Sequence, residues 1–510
     1  DKVGEATALS NIGLIHSEGS DYQQSLKYQL EAFRVRSQIG DQRGLADSYY
    51  FLSFALPPML KGRAFMFSYL TRSLEVSTAI GYAWGREVAA RSLLLLFREH
   101  PELAPQLDSF QDSVLSLSGE GKLYGVWAKA FRHLRHQRWN EAVHAYEHLL
   151  ALCDSMGYRN STPLYLLDQA RAMRALGRTV DAEKALLKAR RRTTLEQRLR
   201  WHGDIDIDLA RLYLDSGRRG KGRGILQPLA ELLDSVFLKS VRGDDPDLGF
   251  RFAAGSVHRH RARVYGLLVE ALSDKPVEVF AAMERERALP FWGAAPEEQG
   301  GRTESPYADV IRELEAFVDR PDLFESIQKL QAEVGEAIQS MLNDQRSLSS
   351  IGWSIQGNRV VALAEVQRCL SDNEVFLEYV VAESVAYVAA VRRDVAVVTR
   401  LNASTQRING AVEILRAALL RGKDNPQDSL WRPSAHRLYQ DLIAPLVDLK
   451  LVRDGDRLLI APHGTLHLVP FHCLVPNAPD SQPTFLIEQH TIEYVPSGTA
   501  LAEWRQKPPR

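Results

Sequence analysis

The chain has 510 residues, of which 25% are charged and 45% hydrophobic, with 63 basic side chains against 64 acidic ones and a net charge of -1. That length exceeds what one hydrophobic core serves, so two or more domains are expected. The charge balance excludes a global field that would draw the chain to nucleic acid or an anionic membrane. The cysteines, Cys153, Cys369 and Cys473, are odd in number and far apart. They suggest neither a disulfide framework nor a zinc site, and a reducing, cytoplasmic compartment is expected.

Asp1 already lies inside a helical pattern, so the sequence reads as part of a longer product. Runs such as LLLLF at 93–97 are too short to cross a bilayer. Residues 8–41 pattern as a helix, a turn at Gly19, and a second helix. Ile12, Gly13 and His16 fall on the first helix, and Tyr22, Ser25, Gln29 and Ala32 on the second, with small residues where the two touch. The unit recurs. QIGDQRG at 38–44 returns as AIGYAWG at 79–85, a shift of 41, and Gly177 returns as Gly217, a shift of 40. RWNEAVHAYEHLLALCDSMGY at 138–158 overlays the stretch around Tyr22 with a shift of 117. These units resemble tetratricopeptide repeats (TPRs) of a lengthened kind, about five over residues 1–235. Such units stack into a solenoid because none can bury its apolar face alone. The resemblance implies a groove that holds a protein or peptide segment.

Four local patterns fall in or just after this region. Between Lys188 and Arg223 there are eleven basic and five acidic residues. No aromatics interleave at a stacking spacing, so a solvated helix face explains the run better than nucleic acid does. GRRGKGRG at 217–224 lacks the G-K-[ST] of a phosphate loop. DIDID at 204–208 reads as acidic residues at a helix start, favoured by the helix dipole, rather than as a cation site. HRHRAR at 258–263 lacks metal-ligand spacing and reads as helix surface.

Residues 236–345 are expected to connect two domains. A helical pattern ends in VEVFAAMERERALPFW at Pro290, GAAPEEQGGRTESP at 293–306 has linker composition, and 307–345 patterns as an amphipathic hairpin. Beyond residue 355 the hydrophobic period changes to two. Residues 374–401 predict three strands, with turns at 383–384 and 392–394. Helices at about 404–421 and 433–449 come next, then the buried strand RLLIAP, and FLIEQHTIEYVPS is expected to supply a second strand pair. Strands alternating with helices predict an α/β domain over 346–510.

This half resembles the CHAT family, a caspase-like peptidase domain found after TPRs. MERERALPFW looks like the family's helix before the domain, and VFLEYVVAESVAYVAAVRR like its opening hairpin. Leu438, Tyr439, Leu442, Ile443, Pro445 and Leu446 match its L-Y-x-x-L-I-x-P-L helix. Pro462, Gly464, Leu466, Pro470, Phe471 and Leu474 match its strand, P-x-G turn and L-P-F, and Pro496-Ser497 follow as in the family. The resemblance implies a thiolate with a histidine base and no cofactor. In the family these two residues come from later strands, so the sequence is expected to stop short of both.

RLLIAPHGTLHLVPFHCL nevertheless holds His463, His467, His472 and Cys473 close together. His463-Gly464 occupies the family's turn, where an acidic residue is usual. Adjacent residues of an extended chain point to opposite faces, so His472 is not expected to serve Cys473. Cys473 is expected to be a small packed thiol, His463 and His467 turn or surface imidazoles, and Cys369 and Cys153 ordinary helix positions. No residue is assigned as catalytic, cofactor-binding or metal-ligating.

The expected molecule is thus an α-helical TPR solenoid followed by a truncated caspase-like α/β domain. It would be a partner-regulated cysteine peptidase of signalling or defence, or alternatively a non-catalytic scaffold. Its expected partner is a protein or peptide in the groove, with no membrane and no nucleic acid, and the oligomeric state is left open. A sheet lacking its later strands is expected to keep an open edge and an uncovered face.

Overall fold

The computed structural model describes residues 1–18, 22–54, 63–99, 103, 121–194, 204–242, 254–288, 360–382, 385–422, 431–477 and 482–506. The expected turns at Gly19 and 383–384, the linker at 293–306 and the hairpin at 307–345 lie outside these residues. The chain divides into two compact units. One holds residues 1–209, 239–255 and 293–354, and the other 210–238, 256–292 and 355–510.

The first unit is helical. Its helices are α1 (Lys2–Glu18), α2 (Tyr22–Ile39), α3 (Gln42–Leu52), α4 (Arg63–Ala79), α5 (Ala83–Glu99), α6 (Gly121–Arg135), α7 (Trp139–Ser155), α8 (Thr162–Ala175) and α9 (Thr179–Arg191). The division between the units falls within α10 (Asp204–Asp215), which is followed by α11 (Arg219–Arg242).

The repeat is written into how the helices end. Gly40, Gly81, Gly157, Gly177 and Gly217 all have φ between 68° and 74°, and Gln137 has φ 57°. At each one, the following amide reaches back to a carbonyl five residues earlier. Asp41 N bonds to Arg36 O, Tyr82 N to Ser77 O, and Arg138 N to His133 O. Tyr158 N bonds to Cys153 O, Arg178 N to Met173 O, and Arg218 N to Tyr213 O. This is one left-handed C-terminal cap used six times. Positions 137, 177 and 217 are spaced by 40, and the helices after them start in the same phase at Trp139, Thr179 and Arg219.

Packing follows that phase. Consecutive helices touch from α1 to α5 and from α6 to α9, and alternate ones meet as α1 with α3, α3 with α5, and α6 with α8. Gly13 is one reason the first pair approaches so closely, since a Cβ there would lie 2.8 Å from Gln29 Nε2. Leu70, Leu93, Phe97, Trp127, Tyr146 and Tyr165 belong to one continuous buried cluster. DIDID opens α10 as expected, with Asp204 and Asp206 in its first turn, and its carboxylates also meet arginines. Asp204 and Asp208 take Arg171 at 2.8 and 2.6 Å, and Asp206 takes Arg190 at 2.7 Å.

The second unit is built on a five-stranded sheet of order β3-β2-β1-β4-β5. The strands are β1 (Glu374–Val381), β2 (Ala386–Val391), β3 (Ala396–Arg400), β4 (Arg457–Ala461) and β5 (Thr491–Tyr494). β1, β2 and β3 form the expected antiparallel meander, while β4 lies parallel to β1 and β5 parallel to β4. FLIEQHTIEY is not a strand pair. Leu486–Gln489 is a short helix, and only Thr491–Tyr494 is extended. A four-residue apolar stretch carries no period that separates the two states.

One face of the sheet carries Val375, Leu377, Tyr379, Val388, Leu458 and Ile460. It packs on α15 (Thr405–Gly422) and α16 (Trp431–Leu442) through Ile408, Leu415, Leu438 and Leu442. The other face, expected to be uncovered, is buried, with Phe376, Glu378, Ala389 and Leu459 all at 0% exposure. α12 (Ala254–Ala271), α13 (Pro276–Ala288), α14 (Leu363–Cys369) and α19 (Gly498–Gln506) supply its cover. A Cβ on Gly266 of α12 would sit 2.8 Å from that of Ala382. Arg505 of α19 grips Glu374 of β1 with two bonds of 2.5 and 2.7 Å. The short helices α17 (Ala444–Asp448) and α18 (Leu486–Gln489) complete the unit.

The caps give a stability prediction. Gly177→Ala should lower the urea midpoint of the helical transition by the equivalent of about 1 kcal/mol, because a side chain at that φ is strained. Gln137→Gly should raise it by about 0.5–1 kcal/mol. A second prediction concerns acid. Glu374 is held at about 2, chiefly by Arg505, against its own desolvation. Its contribution to stability should be complete above about pH 4.5 and be lost as pH falls toward 2. Glu374→Gln should flatten that limb of the acid unfolding curve.

Candidate functional site

In a sheet with helices on both faces, side chains from separate loops converge where parallel strands reach their carboxyl ends. β1 and β4 run in register from Glu374 opposite Arg457 to Glu378 opposite Ala461. β4 and β5 pair from Arg457 opposite Thr491 to Ile460 opposite Tyr494. The three strands therefore end at one rim, and the last turn of α13 fills it.

Arg287 sits at the centre of the rim. Its Nη1 donates to Pro462 O at 2.8 Å and Pro496 O at 3.2 Å, and its Nη2 donates to Ala461 O at 3.2 Å and to Tyr379 O. Its Nε lies 3.0 Å from Glu378 Oε1. One guanidinium thus satisfies carbonyls at the ends of β1 and β4 and after β5. Only a planar fork with five donors does this.

Glu284, Glu286 and Glu378 surround it with three carboxyl groups. Glu284 is fully buried and caps α19, accepting from Gly498 N at 2.5 Å, Thr499 N at 2.8 Å and Thr499 Oγ1 at 2.6 Å. A carboxylate at a helix N-terminus meets unpaired amides and the positive end of the dipole. Burial, and then the neighbouring Glu284 carboxylate, push Glu378 well above the usual carboxyl range despite Arg287. Glu286 goes the other way. Burial alone would raise it, but His463, Arg287 and Arg261 outweigh that and hold it at about 2.

His463 stands at a turn, as one of its two expected placements had it, but it is not a surface imidazole. Its side chain is 16% exposed, with Nε2 3.4 Å from Glu286 Oε2 and Nδ1 accepting the Val381 N–H at 3.2 Å. The His-Gly pair is a turn device, because Gly464 has φ 55° and opens the short helix Gly464–Leu468. His467, in that helix, is exposed as expected. HRHRAR also needs correction. Arg261 is fully buried, 2.9 Å from Asp234, and donates to Arg285 O at 3.0 Å.

The cysteines do not enter the rim as nucleophiles. Phe471–Cys473 is a tight helical turn rather than extended chain, so the geometry assumed for His472 and Cys473 does not hold. Cys473 is half-buried, and burial pushes its thiol up. Burial also raises Cys369 against Arg505 and Arg368, and it takes Cys153 to about 11. Among the described residues, no cysteine sulfur bonds to a histidine, and no cluster suited to a metal ion forms. Nor is any helix among them long and apolar enough to cross a membrane.

Sequence reasoning missed Glu284, Glu286, Arg287 and Glu378. One signal was available. Glu378 interrupts the apolar strand EVFLEYVV, and a charge in a buried strand needs a partner.

Arg287→Met should destabilise the sheet unit by roughly 3–5 kcal/mol, the cost of leaving a buried carboxyl and several carbonyls without their cation. Adding Glu378→Leu should recover part of that loss in a double-mutant cycle read by urea unfolding.

Comparison with known families places a match in this part of the chain. Residues 432–510 match the family model described as CHAT domain, a span running from α16 through β4, the His463 turn and β5 to α19. The helical half returns no tetratricopeptide match. No curated protein matches the chain.

Proposed function

We propose that the chain pairs a TPR-type solenoid, which receives a protein or peptide segment, with the opening part of a caspase-like CHAT domain. In this reading residues 1–235 form the solenoid, 236–345 connect, and 346–510 open the peptidase-like domain, with α12 and α13 packed on its sheet. The parent activity is hydrolysis by a cysteine thiolate and a histidine base, governed by what the solenoid binds. The observation that carries the proposal is a coincidence of position: the CHAT match contains the parallel strands whose carboxyl ends form the rim. The solenoid is supported by the shared 40-residue phase of the helix caps and by nearest-neighbour packing.

A non-catalytic scaffold is the second reading. It is favoured by the thiols, each raised by burial and none bonded to a histidine among the described residues. The assignment of these thiols as frame is tested with a peptidyl acyloxymethyl ketone, which alkylates activated thiolates. Cys153, Cys369 and Cys473 should all stay unlabelled while the chain binds a peptide saturably in a fluorescence titration. Labelling at Cys473 that disappears in Cys473→Ser would overturn the assignment of these residues as frame. Failure to bind any member of a diverse peptide array would count against the solenoid as a receptor.

A further inference from the structure

The rim contains a histidine whose two nitrogens do opposite jobs. Nδ1 of His463 accepts the Val381 N–H at the end of β1, and Nε2 faces the Glu286 carboxylate on α13. A backbone N–H donates only to a nitrogen that carries a lone pair, so this geometry requires the neutral ring with its proton on Nε2. A second proton would sit on Nδ1 and point at the Val381 N–H. The two contacts then become exclusive. The imidazolium keeps Glu286, now as a full ion pair, and must give up β1.

We propose that the His463 bridge between β1 and the last turn of α13 is a pH-sensitive latch on the strand-end rim, closed when the ring is neutral and open when it is protonated.

Charged groups surround the ring. From α13 come the Glu286 carboxylate and the Arg287 guanidinium, and from the histidine's own turn comes His467. Arg261 of α12 approaches Glu286, and Glu284 and Glu378 lie on the other side of Arg287. The rest of α13 does not move with the ring, since Val279, Phe280 and Met283 anchor it in apolar packing. The freed element is the end of β1, where Val381 holds the chain against the His463 turn. This inference stands whether or not the domain belongs to a peptidase.

The test is amide hydrogen exchange at Val381 together with nitrogen shifts of the His463 ring, both on the full chain. At about pH 7.5 the ring should be the Nε2–H tautomer and Val381 protected. By about pH 5, after correction for intrinsic exchange, Val381 protection should fall at least about tenfold, following the ring's titration, while Phe376–Tyr379 stay protected. His463→Asn, whose Oδ1 can accept the same N–H without titrating, should keep Val381 protected at both values. His467→Asn should leave the transition in place. If His463→Asn fails to fold, Glu286→Gln serves instead and should move the midpoint to lower pH. The proposal is overturned if Val381 stays protected while the ring titrates, or if the ring remains neutral down to about pH 4. The same loss in His463→Asn, or an unmoved midpoint in Glu286→Gln, would overturn it as well.

Discussion

The sheet unit depends on one guanidinium. Parallel strands that stop together leave carbonyls pointing beyond the sheet, and buried carbonyls without partners are costly. Arg287 reaches those of Tyr379, Ala461, Pro462 and Pro496 at once, and its remaining nitrogen faces Glu378. Because Arg287 is carried by α13, the same contacts fix that helix to the sheet. Two residues just before it do related work, as Glu284 caps α19 and Glu286 meets His463. A stretch that reads in sequence as the tail of a connector therefore completes the second layer of the α/β unit.

The helical unit is held on a different principle. No single contact organises it. A left-handed cap recurs, each helix turns back in the same phase, and an apolar cluster runs on from α4 to α8. Its polar interior is equally distributed. Arg171 forks between Asp204 and Asp208, and Arg98 lies 3.4 Å from Asp168. Such ladders replace hydration along the stack without fixing one site.

What was legible in the sequence follows from the range of the forces involved. Gly40, Gly81, Gly177 and Gly217 announced the repeat because a positive φ is a local demand that glycine meets. Gln137 hides the same turn because it meets the demand at a cost. The meander from Glu374 to Arg400 was legible because short apolar runs rich in valine and aromatic residues are bounded by turn signals. Leu486–Gln489 was misread because four residues carry no period. Arg261 was misassigned to the surface, and the burial of His463 at its turn was missed, because both are decided by partners far along the chain, Asp234 and Glu286 respectively. The rim was illegible for the same reason, since Arg287 lies more than ninety residues before Tyr379.

The central claim is that α13 is an integral layer of the sheet unit. Native-state hydrogen exchange tests it most directly, by comparing the amides of Val279–Met283 with those of Leu458–Ile460. If α13 and β4 belong to one cooperative unit, the two sets exchange with the same opening free energy and respond together to denaturant. If α13 exchanges through an opening of its own while β4 stays closed, the helix is an appendage and the account of the rim fails.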